Sequence, residues 1–115
     1  MRWNTAKYGN TKLFVDGIQF DSKHEATRWV ELTYLQRAGL ISDLKRQVPY
    51  ELIPNQKNEA GKVIERAVTY VADFVYQENG HVVVEDAKSP ATRTREYIIK
   101  RKLMRYVHGI EIKEV

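Results

Sequence analysis

The chain has 115 residues, 43% hydrophobic and 30% charged, a length that builds one domain with a single core and a composition outside the disordered range. No apolar run approaches the roughly 20 residues that cross a bilayer, and the opening MRWNTAKYGNTK lacks the apolar stretch of a secretory leader. Without cysteine, disulfides and thiolate metal sites are excluded and a cytoplasmic setting is expected, while a net charge of +4 suits a polyanionic partner without requiring one.

In chain order, residues 1–12 read as a polar, basic, loosely ordered arm carrying Lys7 and Lys12. KLFVDGIQFD, residues 12–21, alternates around Asp16-Gly17, a tight hairpin signal. A helix is expected from about Ser22 to Ala38, closed by Gly39. VPYELIP, residues 48–54, is a strand ended by Pro54, and NQKNEAGK is a polar turn or loop. Strands follow over about 63–76 and 81–88, then the breaker SPATRT. A second helix from Glu96 to Val107 stops at Gly109, and IEIKEV makes a short last strand. The order predicts one α/β domain over 1–115, a mixed β-sheet flanked by helices.

YVADFVYQENGHVVVEDAKS, residues 70–89, raises the functional question. Counting back from the Asn79-Gly80 turn sets Tyr76 opposite Val83, Val75 opposite Val84, and Asp73 opposite Asp86. Period two then groups Val71, Asp73 and Val75 with Val82, Val84, Asp86 and Lys88 on one face. Two carboxylates facing each other at the end of an apolar patch repel, and burying them unpaired is costly. Either one keeps its proton or a cation sits between them, and oxygen-only ligands suit a hard ion such as Mg²⁺ or Mn²⁺. The bland alternative is a bulged turn that leaves both acids on a solvent-facing edge, paired with Lys88 or Arg66. Glu85 falls on the other face as a solvated or helix-facing charge.

A third acid, Glu25, lies in line with Trp29 and Leu32 on the inner stripe of the first helix. It completes a capping box with Ser22 or approaches an ion held at the sheet. His24, His81 and His108 share no ligand spacing and read as surface residues. The second helix carries Arg95, Lys100 and Arg101 beside Tyr97, and Arg93 precedes it. With Lys7 and Lys12 these make a phosphate-tracking surface, although cations near a helix C-terminus are common for dipole reasons alone.

Asp73, then EDAK with Asp86-x-Lys88 on the next strand, and Glu25 on a preceding helix resemble the PD-(D/E)XK nuclease superfamily. KYGNTK, VDGIQFDSKHEA, YVADFVY, VVVEDAKS and IEIKEV are similar to small phage-encoded proteins of that superfamily regarded as endonucleases, over nearly the whole chain. Ala72 stands where the family usually has Pro, and Ser89 where many members have Gly. The resemblance implies a restriction-endonuclease-like core that hydrolyses DNA phosphodiesters in phage recombination, repair or processing, with branched DNA a reasonable substrate and a homodimer a plausible state. It implies Mg²⁺ or Mn²⁺ on Asp73, Asp86 and the Ala87 carbonyl, with Glu25 completing the site directly or through water. Lys88 would orient or deprotonate the attacking water, and Gln47 matches a polar position near such sites. Rival readings are a non-catalytic nucleic-acid-binding protein and a host-interaction protein; RNA remains an alternative substrate.

Overall fold

Two dipeptides set the strand pairing. Asp16-Gly17 and Asn79-Gly80 each take two successive left-handed conformations (φ 50 and 79°, φ 52 and 77°), as a two-residue turn between right-twisted strands requires. The computed structural model describes residues 2–5 and 11–115, with side chains from Leu13 onward. It has two helices and nine strands among those residues. The larger sheet runs β4 (Ser42–Ile53), β7 (Val68–Glu78), β8 (His81–Asp86) and β9 (Lys113–Glu114). The first three are antiparallel, and β9 lies parallel to β8, so the sheet is mixed. A small sheet holds β1 (Arg2–Thr5), β2 (Thr11–Val15) and β3 (Ile18–Phe20).

The expected α/β fold, a mixed sheet with helices packed on it, is what the chain forms. Helix α1 (Lys23–Arg37) starts at Ser22, whose side chain accepts the Glu25 N–H at 3.1 Å. Its Ala26 and Leu32 join Leu13, Val15, Phe20, Ile41, Phe74 and Tyr76 in one apolar cluster. Helix α2 (Arg95–His108) ends at Gly109 in the left-handed cap. Its Tyr97 and Met104 meet Leu52, Tyr70, Ala72, Val84 and Ile112 in a second cluster. Phe74 and Tyr76 belong to the first cluster while their neighbours Val75 and Val84 border or enter the second, so α1 and α2 cover opposite faces of the sheet.

Several expectations need correction. Part of the supposed arm is strand: β1 pairs antiparallel with β2, setting Lys12 opposite Asn4, while Lys7 lies outside the described residues. NQKNEAGK carries β5 (Gln56–Lys57), which pairs with β6 (Val63–Glu65) as a narrow ribbon. Strand β4 begins at Ser42, six residues before the expected Val48, because β7 pairs with it along that added stretch; there Leu44 packs on the first cluster and the Arg46 guanidinium lies 4.5 Å over the Phe20 ring. The hairpin register is as expected, from Glu78↔His81 to Phe74↔Glu85. Its faces are not. Val71 and Val82, assigned to the buried face, are 46% and 54% exposed. The side-chain alternation of β7 slips between Ala72, in the α2 cluster, and Phe74, in the α1 cluster. At that point the facing Gln47 of β4 is left-handed (φ 52°) and the ladder skips the Gln47–Asp73 step.

Candidate active site

That kink is where the acids gather. Asp73, just past the slip, is half-buried and turns toward β8, where its Oδ2 accepts the Ala87 N–H at 2.8 Å. Asp86, at the end of β8, is 3% exposed and Asp73 is half-buried, brought beside it by the slip in β7 rather than by regular alternation. The Tyr70 hydroxyl donates to Asp86 Oδ2, and Lys88 Nζ stands 2.9 Å from Oδ1. That ammonium contact lacks hydrogen-bond direction, and Oδ1 has no hydrogen-bond partner although it is buried. Lys88 in turn lies 4.2 Å over the Tyr97 ring, which fixes its stem against α2.

Glu25 joins from the other element. It is buried, and its N–H, rather than its carboxylate, serves the Ser22 cap. The carboxylate turns to β4: Gln47 Nε2 donates to Glu25 Oε1 at 3.3 Å and to Asp73 Oδ1 at 3.4 Å, spanning the two acids. Arg46 Nη2 stands 3.8 Å from the same Oε1. The left-handed Gln47 backbone therefore has a consequence: it places one amide between two carboxylates. Burial pushes the Glu25 carboxyl up to about 7, with Asp73 adding to the rise and Arg46 opposing it. Burial also pushes Asp73 up to about 6; the Ala87 amide pulls it down and the charge of Asp86 pushes it up again.

Asp73 and Asp86 open onto a cleft of about 290 Å³ lined also by Tyr70, Lys88, Tyr97 and Lys100 among others; Glu25 reaches it through Gln47 rather than lining it. The proposed contact residues occupy different places around it. Lys100 lines the cleft and pairs with Glu96 at 3.2 Å, and Arg95 is exposed on the first turn of α2. Tyr97 is buried, its hydroxyl donating to Glu114 at 2.7 Å, so it forms a wall of the cleft. Arg93 and Arg101 both grip Glu114, at 2.9 and 3.1 Å. The three histidines are exposed, as expected; His24 and His108 each hold a backbone carbonyl, of Val115 and Glu51. Glu85 is not solvated: it is fully buried and faces Arg28 of α1.

Asp73, Asp86 and Glu25 offer oxygen donors alone, the set a hard divalent ion takes. The Oδ1 of Asp86, which faces the Lys88 ammonium at 2.9 Å without a directed hydrogen bond, and the weakly engaged Oδ1 of Asp73 are the oxygens that would face it. As the side chains lie, no group of three His, Asp or Glu among the described residues converges closely enough to cage an ion. The donor chemistry fits a cation held by Asp73 and Asp86, with Glu25 linked to Asp73 through the Gln47 amide. Reading the sequence alone missed Tyr70, Arg46 and Arg28. Only Arg28 carried a signal, one turn beyond Glu25 on the same stripe of α1.

One family model matches residues 5–114, which takes in Glu25, Gln47, Asp73, Asp86 and Lys88. The chain belongs to that family, described as Protein of unknown function (DUF1064). Among curated proteins and solved structures, nothing matches it. DUF1064 membership thus covers both clusters of the core and every described site residue, and it brings no activity with it.

Proposed function

We propose that the chain is a Mg²⁺-dependent endodeoxyribonuclease of the PD-(D/E)XK type, acting in DNA recombination, repair or processing. The observation that carries this reading is the meeting of Asp73, Asp86 and Lys88 in one open cleft, with Glu25 tied to Asp73 through Gln47. Asp73, Asp86 and the Ala87 carbonyl would hold the ion, and Glu25 would join directly or through water. When bound, the ion supplies Lewis-acid charge at the phosphate and lowers the pKa of water. Lys88, held between Asp86 and the Tyr97 ring, would orient the attacking water and offset charge as the phosphate becomes pentacovalent. Lys100 and Arg95 at the rim would meet neighbouring phosphates.

The test is incubation of purified protein with linear, flapped and four-way DNA in Mg²⁺, Mn²⁺ or EDTA, with Asp86→Ala and Lys88→Ala alongside. Cleavage is expected with either metal, greatest on branched DNA, and reduced by on the order of a hundredfold or more in both variants. Cleavage that persists in both variants would assign the activity to another site. A second reading, nucleic-acid binding without cleavage, is favoured by the absence of a three-donor cage among the described residues. It expects metal-independent binding by wild type and Asp86→Ala alike.

A further inference from the structure

Behind the cleft, on the α1 face of the sheet, lies a second polar cluster for which the proposed chemistry has no use. Glu85 is 0% exposed, and Arg28 grips both of its oxygens: Nε donates to Oε1 at 2.8 Å and Nη2 to Oε2 at 2.6 Å. The Tyr76 hydroxyl donates to the same Oε2, and Arg28 Nη1 reaches Glu31 at 2.9 Å. A buried ion pair is poor value for stability, since well-packed apolar residues of similar volume serve as well or better. A bidentate fork does supply fixed geometry.

The position of the pair says what that geometry could set. Glu85 immediately precedes Asp86 on β8, and their side chains leave opposite faces of the strand. Arg28 follows Glu25 by three residues, one turn along the same side of α1. Helix α1 packs on β4 and on the small sheet, and Arg28 reaches past these to β8. The fork therefore joins the helix that carries Glu25 to the strand that carries Asp86. It acts on the side away from the cleft, while Gln47 spans Glu25 and Asp73 on the near side.

We propose that the Arg28–Glu85 pair is a positioning clamp that sets Glu25 at a fixed place beside Asp73, from which it joins, directly or through water, a divalent cation held by Asp73 and Asp86. This rests on the metal-dependent reading above. Arg28 and Glu85 touch neither substrate nor ion; they act by fixing where Glu25 stands.

Mn²⁺ binding measured by calorimetry, without DNA, tests the clamp in wild type, Glu25→Gln, Arg28→Lys and the Arg28→Lys/Glu25→Gln double variant. Lysine keeps the charge and loses the fork. Arg28→Lys is expected to weaken Mn²⁺ binding about tenfold, as loss of a partner behind a metal ligand does. In the Glu25→Gln background the same change should weaken it no further, because the group through which it acts is already gone. Tyr76→Phe removes one hydrogen bond from Glu85 but keeps the fork, and should stay within about twofold of wild type. Arg28→Lys binding as tightly as wild type, or weakening the Glu25→Gln protein by the same factor as wild type, overturns the clamp and leaves the metal reading standing. Folded wild type that binds no Mn²⁺ overturns both. If Arg28→Lys does not fold by circular dichroism, the uncharged pair Arg28→Met/Glu85→Gln replaces it, with the same outcomes expected.

Discussion

Glu25 shows how one side chain answers two demands. Its backbone closes the first turn of α1 and its carboxylate goes elsewhere, to Gln47 and Arg46. In the sequence the capping reading rested on the spacing from Ser22 and the metal reading on the alignment with Trp29 and Leu32, and neither spacing says where a carboxylate points. The carboxyl is raised to about 7 in the folded protein. A group with a raised folded pKa binds its proton more tightly when folded, so its stabilisation is full below the unfolded value and is lost as pH climbs through the folded one. Metal-free wild type should therefore lose stability between about pH 5 and about pH 8 relative to Glu25→Gln, which carries no titrating proton there. Melting curves in EDTA are expected to coincide near the lower pH and to favour the variant at the higher. Curves that run parallel throughout would remove the burial argument for Glu25. In the presence of Mg²⁺, cleavage should run the other way and rise with pH over the same interval, since Glu25 and Asp73 must shed protons to bind an ion.

At the level of elements, the β7–β8 hairpin was legible because an Asn-Gly turn fixes register and register fixes which residues oppose one another. The helices were legible through Ser22, Gly39 and Gly109, whose capping chemistry is local. The kink was not, for nothing in KRQVPYEL marks Gln47 as the residue that leaves the ladder. Its left-handed backbone costs a non-glycine residue on the order of 1 kcal/mol or more. Gln47→Gly should thus hold or raise the melting temperature while it weakens Mn²⁺ binding and cleavage, because the amide between Glu25 and Asp73 is gone. Thermal melts and metal calorimetry on that single variant separate the two effects. Glu85 was misjudged in part because its partner lies 57 residues away on α1, a contact that no periodicity within β8 reveals. Arg28→Ala strands that buried carboxylate and should cost about 3–5 kcal/mol in chemical denaturation, unlike the near-neutral loss of an exposed pair.

For the molecule as a whole, the basic residues around α2 divide by what already holds them. Arg93 and Arg101 spend their guanidinium groups on Glu114, whereas Arg95 is exposed and Lys100 pairs with the exposed Glu96 at the cleft rim. DNA affinity should fall steeply with added salt, and Arg95→Ala or Lys100→Ala should each reduce the slope of log K against log salt by about 1. Arg93→Ala should change it less, and filter binding across a salt series distinguishes them. No helix among the described residues is long and apolar enough to cross a membrane, in keeping with the charged surface the sequence displays.

The edge strand β9 has a practical bearing on all such measurements. The Lys88 N–H donates to the Val115 carbonyl at 3.1 Å, and the Val115 N–H returns a bond to the Asp86 carbonyl at 3.0 Å. A tag inserted next to Val115 would sit one hydrogen bond from the lysine proposed to steer the attacking water. Assays on such a fusion would register the obstruction as a chemical defect, so purification handles belong elsewhere on the chain.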